Sequence, residues 1–259
     1  MKNTWKVGFL QFDVCHDMEK NLDTLTHCLE QNPCDLLVLP ELSMCGYLFE
    51  SREVLQSFAQ QVPEGTATQR ILALSKQYSC GILFGLAEKE NDLIFNTAVF
   101  VSNGNYIGKY RKIHLSDFEK KLFDRGSENG IFCVDGCKIG VQICFDLWFP
   151  ERSREQIRMG ADLLCVLANF GGETTHQIAH VRAIENVTPV LLCNRIGTES
   201  IPGMDAQFLG KSAVIGAFGE SLCQAPAKTA YFGAYELTLP VKKANVICGD
   251  FLQEMKLHY

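Results

Sequence analysis

No apolar run in this chain approaches the roughly 18–20 residues that a transmembrane helix requires. The opening "MKNTWKVGFLQFDV" also lacks the long apolar core of a signal peptide and reads instead as a first strand. Neither a membrane nor a secretory route is therefore expected. Basic residues form no long run, and 24 Lys and Arg against 30 Asp and Glu leave a formal net charge of −6. That balance argues against nucleic acid as a partner. There is no CxxC pair, and the nearest two of the 12 cysteines, Cys133 and Cys137, have three residues between them. Zinc ribbons and disulfide frameworks are disfavoured by that spacing, and a reducing, cytoplasmic location is expected. What is present is ordinary for a globular domain: 47% hydrophobic and 21% charged residues over 259 positions. Such a length buries a core large enough to need no metal or disulfide staple, and most of the cysteines are then small buried apolar residues.

Strand and helix patterns alternate along the chain. "KNLDTLTHCLEQ" places Leu22, Leu25 and Leu29 at helical spacing. "DLLVLPE", residues 35–41, is a strand too apolar to face water on either side. "TATQRILALSKQYS" reads as a helix capped by Thr66 or Thr68. Strands separated by turns follow up to residue 112, including an Asn103-Gly104 hairpin turn. Then come "CKIGVQIC", a helix, "ADLLCVLAN", the helix "THQIAHVRAIENV", "PVLLCNRIG", a hairpin and a last strand. "DLLVLPE" and "DLLCVLAN" echo one another, and each leads into a helix, a strand and a hairpin. Two related halves packed as one domain are the expectation.

Cys144 ends the strand "CKIGVQIC" and stands just before a predicted helix. A strand that ends in a nucleophile before a helix is a known device for acyl transfer: the turn exposes the side chain, and helix amides favour a thiolate and an oxyanion. Burial alone would account for an arbitrary cysteine here. A base is also needed. His114 is nearest in sequence, but Glu41 is the better candidate, because a carboxylate at the end of a buried strand is costly without a partner. A helix cap or a loop charge explains Glu41 about as well. Lys112 likewise follows a strand, and ligand sites in such sheets lie beyond strand carboxyl ends. The pair His176 and His180 has zincin spacing, but Gln177 replaces the glutamate and no third ligand is evident. No metal is expected.

Three stretches, "LLVLPELSMCGY", "GKYRKIHL" and "ICFDLWFPE", occur in an order and at spacings that resemble the nitrilase superfamily of carbon–nitrogen hydrolases. "RAIEN", "NRIG" and "GKSAVIGAFGE" extend the resemblance, which runs from about residue 5 to residue 239 and leaves 240–259 as a tail. It implies an α-β-β-α sandwich that dimerises through outer helices, with the tail at the dimer interface. It implies a catalytic set of Glu41, Lys112 and Cys144, and "EKKLFDRG" makes Glu119 a further functional glutamate. Arg125 stands where many members have proline, so the loop after Glu119 is expected to differ in shape. By motif position Phe145 supplies an oxyanion amide, and Tyr47, Trp148 and Asn169 approach the substrate. Tyr47 and Trp148 serve equally well as core aromatics. No cofactor is implied. The expected activity is an amidase acting through a thioester on a small amide, with a nitrilase or a non-catalytic binding protein as alternatives.

Overall fold

A computed structural model describes residues 2–257. The first half runs β1 (Thr4–Gln11), α1 (Met18–Gln31), β2 (Leu36–Val38), α2 (Arg52–Gln56), α3 (Thr66–Gln77), β3 (Gly81–Glu90), β4 (Leu93–Ser102) and β5 (Asn105–Arg111). The second runs β6 (Ile131–Val134), β7 (Cys137–Ile143), α4 (Pro150–Arg158), β8 (Leu163–Ala168), α5 (Glu173–Asn186), β9 (Val190–Asn194), β10 (Ile196–Ile201), β11 (Met204–Leu209), β12 (Ala213–Ile215) and β13 (Ser221–Gln224). Then β14 (Tyr231–Thr238) returns to the first half, and α6 (Phe251–Glu254) lies in the tail.

The strands form two six-stranded sheets, ordered β14-β1-β2-β3-β4-β5 and β13-β12-β9-β8-β7-β6. In the first, β1, β2 and β3 are parallel, and β4 and β5 then alternate. In the second, β7, β8 and β9 are parallel, and β12 and β13 alternate in the same way. Each sheet closes with one antiparallel strand, β14 on β1 and β6 on β7. The echo between β2 and β8 thus extends to matching topology.

Strand alternation builds the layers. Leu36 and Val38 face Ile139, Val141, Leu163 and Leu167 across the sheet-to-sheet core. Leu37 and Leu39 turn the other way, onto Leu22, Leu25 and Ile71. In the second sheet Leu164 and Val166 turn outward onto Ile157, Ala179 and Ala183. Burial on both faces is why these strands read as unbroken apolar runs. The result is a single-domain α-β-β-α sandwich.

Two local expectations are corrected and one element was missed. The N-cap of α3 is Gly65, which has no side chain to cap with; Thr66 is the first helical residue, and Thr68 is buried in the first turn. The β10–β11 hairpin, a separate two-stranded sheet, was not legible, since its alternation is broken by Gly197 and by a buried Glu199. The chain does not pass directly from β7 into α4, because a one-turn 3₁₀ helix, Cys144–Trp148, intervenes. In the tail, Leu252 and Met255 pack against the cluster under α4 and α5.

Candidate active site

Glu41 sits in the turn after β2, and the next residue, Leu42, has φ +50°. That turn presses onto β3 at Gly85, where a Cβ would come within 2.3 Å of the Leu42 nitrogen. Only glycine permits the approach. Lys112 follows β5 and is tied to β4 by its N–H, which donates to the Asn96 carbonyl at 2.9 Å. Its ammonium donates to Glu41 Oε1 at 2.7 Å and to Glu119 Oε1 at 2.6 Å. Asn96 Nδ2 donates to the same two oxygens, at 2.7 and 3.3 Å. Glu119 is held in its own 3₁₀ turn, where its Oε2 accepts the Ser116 N–H at 2.8 Å. One cation and one amide thus clamp two carboxylates, and Glu41 Oε2 is left with no partner among the described residues.

All three charged groups are almost wholly buried. Burial opposes the Lys112 charge, but Glu119 and Glu41 outweigh it and hold the ammonium well above its usual range. Burial raises the Glu41 carboxyl to about 7 against the pull of Lys112, with Glu119 pushing the same way as burial. Glu119 is held below the usual carboxylate range: burial pushes it up, but Lys112 and Ser116 prevail. The cluster therefore contains one firm carboxylate, one firm ammonium and one carboxyl poised near neutrality.

Cys144 has φ +45°, the left-handed region that favours glycine, and stands partly exposed at the end of β7. Strain of this kind at a strand end is what an exposed nucleophile requires. Burial raises the thiol, Glu41 raises it further, and Lys112 and the Asn169 backbone lower it; the balance is upward. A resting thiolate, expected from the helix amides, is not what these surroundings favour. They suit a neutral thiol beside a base.

A family model described as carbon-nitrogen hydrolase matches residues 6–239. The chain belongs to the carbon–nitrogen hydrolase family. It is 37% identical over 228 residues to a nitrilase of Pyrococcus abyssi, covering 86% of each chain. It is 31% identical over 231 residues to a 2-oxoglutaramate amidase of Bacillus subtilis, covering 85% of this chain and 86% of the relative. A carbon–nitrogen hydrolase structure from Helicobacter pylori superposes with TM-score 0.80 at 26% identity, covering 90% and 89% of the two chains. A Saccharomyces cerevisiae member of branch 10 of the nitrilase superfamily has the same fold, with TM-score 0.82, 23% identity and coverage of 100% and 97%.

Within this carbon–nitrogen hydrolase, the Cys144 turn is fixed by residues that sequence reasoning missed. Asp146, fully buried, accepts from Ile143 N–H at 3.1 Å and Tyr110 Oη at 2.8 Å through Oδ2, and from His114 N–H at 2.8 Å and Nδ1 at 3.0 Å through Oδ1. Arg182 of α5 donates to the Leu147 and Trp148 carbonyls at 2.8 and 3.2 Å. Opposite, the fully buried Arg195 donates to Glu199 and to the Val14 carbonyl. Glu199 in turn accepts the N–H groups of Tyr47 and Leu48 at 3.0 and 2.6 Å, holding the loop after Glu41. Gly46 allows this, since a Cβ there would meet His16 at 2.8 Å. Asn96 had one available signal, a lone amide inside the apolar strand "LIFNTAVFV".

The remaining expected residues divide. Tyr47 is half-buried against Phe118 and Phe208, and burial and then Glu119 hold its phenol well above the usual range. Trp148 is 44% exposed, so it is no core aromatic, and its indole N–H donates to Thr175 Oγ1 at 3.1 Å. Phe145 packs its ring on Trp148 and Phe149. Asn169 is buried just past β8, and neither polar atom of its side chain has a partner among the described residues. Arg125 donates to the Ile113 carbonyl at 2.7 Å, pinning the loop after Glu119 to the Lys112 segment. His176 and His180 lie with ring centroids 4.9 Å apart and tilted by 56°, and His180 Nδ1–H donates to the Gly219 carbonyl at 2.9 Å.

Proposed function

We propose that the chain is an amidase that releases ammonia from a small non-peptide amide through a Cys144 thioester. The observation that carries the reading is the unpartnered Glu41 Oε2, in a carboxyl poised near 7, within the electrostatic reach of a thiol on a strained turn. Glu41 takes the Cys144 proton as sulfur attacks the amide carbon. Lys112 and the Phe145 N–H stabilise the oxyanion. The C–N bond then breaks, and ammonia departs with the proton that Glu41 held. Water, giving a proton to Glu41, attacks the thioester; the acid leaves and the thiol is restored. Glu119 keeps Lys112 charged and in place. Tyr47, Asn169 and Trp148 are assigned to the substrate side of the site. The chemistry asks for no cofactor.

Relatives called nitrilase and relatives called amidase both match the chain, so a true nitrilase is the second reading. An ammonia-release screen over primary amides, carbamoyl compounds and nitriles tests the two. Ammonia from amides that disappears in Cys144→Ala supports the amidase, and release from nitriles alone supports the nitrilase. No release at all, with Cys144 inert to alkylation, leaves a binding protein.

The proposed assembly is a homodimer in the cytoplasm. Val181, Ile184 and Phe218 are each about half exposed, at 48%, 52% and 59%, and Ile184 lies against the Gly219 turn beside Phe218. No helix among the described residues is long and apolar enough to cross a membrane.

A further inference from the structure

Cys34 Sγ and Cys80 Sγ lie 3.7 Å apart, and both are free, buried thiols. Among the described residues no other two cysteine sulfurs make such a contact. The backbone explains why these two meet. β2 and β3 are parallel neighbours with Leu36 opposite Gly81, and the Gly81 N–H donates to the Asp35 carbonyl at 2.9 Å. Cys34 and Cys80 stand just ahead of this pinned pair, at the end of the first sheet opposite to Glu41. Neighbouring strands are about 4.8 Å apart, a separation that a disulfide spans. Cys28 of α1 belongs to the same apolar cluster, between the sheet and its helices.

The two thiols are not equivalent. Cys80 is 1% exposed, and its hydrogen bond with Cys34, then burial, hold its thiol well above the usual range. Burial, and then Cys34, push the Cys28 thiol up to about 12. Cys34 is 8% exposed and lies in the segment between α1 and β2, so a small oxidant meets it before Cys80. We propose that Cys34 and Cys80 form an oxidation site for hydrogen peroxide, with Cys34 attacked first and Cys80 resolving it into a reversible disulfide between β2 and β3. The Cys34 sulfur takes one peroxide oxygen as the O–O bond breaks, and the thiol proton leaves with the other oxygen as water. The Cys80 sulfur then attacks the Cys34 sulfur. The S–O bond breaks, and the hydroxyl leaves with the Cys80 proton as a second water. Both sulfurs are oxidised and both peroxide oxygens reduced. A sulfenic acid with a thiol in contact is captured in this way before it oxidises further, and in a reducing compartment the bond is transient. The loop it closes contains Glu41 and Tyr47, and closing it restricts the unfolded chain. The bridge therefore ties the two strands that support the Glu41 turn, from the end far from Cys144.

The test needs no substrate. The purified full chain is treated with a few equivalents of hydrogen peroxide, the remaining thiols are blocked with N-ethylmaleimide under denaturation, and peptides are mapped without reduction. The expected main disulfide joins the Cys34 and Cys80 peptides and disappears with dithiothreitol. The urea midpoint is expected to rise by about 1 M on oxidation. Cys80→Ala should form no bridge, carry Cys34 on to the sulfinic acid and show no such rise; Cys80→Ser takes its place if the Ala variant does not fold. Four results overturn the proposal. They are Cys34 found as sulfinic acid in the wild type, Cys34 linked mainly to Cys28, both thiols untouched while the exposed Cys133 is oxidised, and a Cys34–Cys80 bridge that leaves the midpoint unchanged.

Discussion

His114 donates its backbone N–H to Asp146 Oδ1 at 2.8 Å, and this bond joins the segment that carries Lys112 to the turn that carries Cys144. The other oxygen of Asp146 secures Ile143 and Tyr110. One buried carboxylate thus sets the spacing between the Lys112 segment and the Cys144 turn. Apart from the short 3₁₀ helix at Cys144–Trp148, neither segment has regular structure of its own to do so.

Asp146→Ala strands the N–H groups of Ile143 and His114 and the Tyr110 hydroxyl. Each buried unpaired group costs about 1–3 kcal/mol, so a total loss of roughly 3–9 kcal/mol is expected. Urea denaturation measures it. A midpoint equal to the wild type's would mean that Asp146 does not organise the turn.

Cys144→Ala should abolish amide turnover by several orders of magnitude, while stability changes by no more than about 1 kcal/mol, because the thiol makes no strong bond that holds the fold. Substantial activity in the purified variant would falsify the thioester mechanism.

The pH profile follows from Glu41. Burial raises its carboxyl to about 7, so the base form dominates above that pH and kcat/KM should fall as pH drops through about 7. The Glu119 carboxylate contributes to that rise. Glu119→Gln should therefore shift the acid limb of the residual activity to lower pH. It should also lose most turnover, since Lys112 loses one of its two anchors, yet leave Cys144 open to alkylation. An unchanged rate and an unchanged limb would make Glu119 a bystander.

One equivalent of iodoacetamide at neutral pH should label Cys144 first and inactivate in step. Cys45, in the loop after Glu41, is the competitor that sequence position suggests, but it is buried, and burial pushes its thiol up to about 12. Cys165 and Cys193 are fully buried as well. Cys133 is the exposed alternative. Selectivity for Cys144 over Cys133 must come from Glu41 as base and from the fit of the reagent's amide, not from a resting thiolate. Peptide mapping that finds Cys133 labelled ahead of Cys144 counts against an activated nucleophile.

Apolar periodicity made the layers legible, because strands buried on both faces and helices buried on one leave different patterns. The ends of those strands were legible too, and Glu41, Lys112 and Cys144 lie at them, whereas Glu119 came from the match of "EKKLFDRG" to the family pattern. What escaped were polar residues whose reason lies far along the chain. Asp146 answers to Tyr110 and His114, Arg195 to Val14 and Glu199, and Glu199 to Tyr47 and Leu48. Read locally, each is one charge among many. The Gly65 cap was missed because a threonine in the first turn is not itself the cap: Thr66 and Thr68 are both inside the helix.

The acid–base groups and the sulfur come from different sheets. Glu41, Lys112, Asn96 and Glu119 belong to the first half, and Cys144 and Asn169 to the second. During synthesis β1–β5 and the acid–base groups are made before the nucleophile, and the first sheet closes only when β14 follows it. If the sheets part under stress, the sulfur loses its base at the same moment. On the proposed mechanism, hydrolysis is conditional on a closed interior, and a damaged molecule falls silent. The rate at Cys144 becomes a gauge of whether the two halves remain docked.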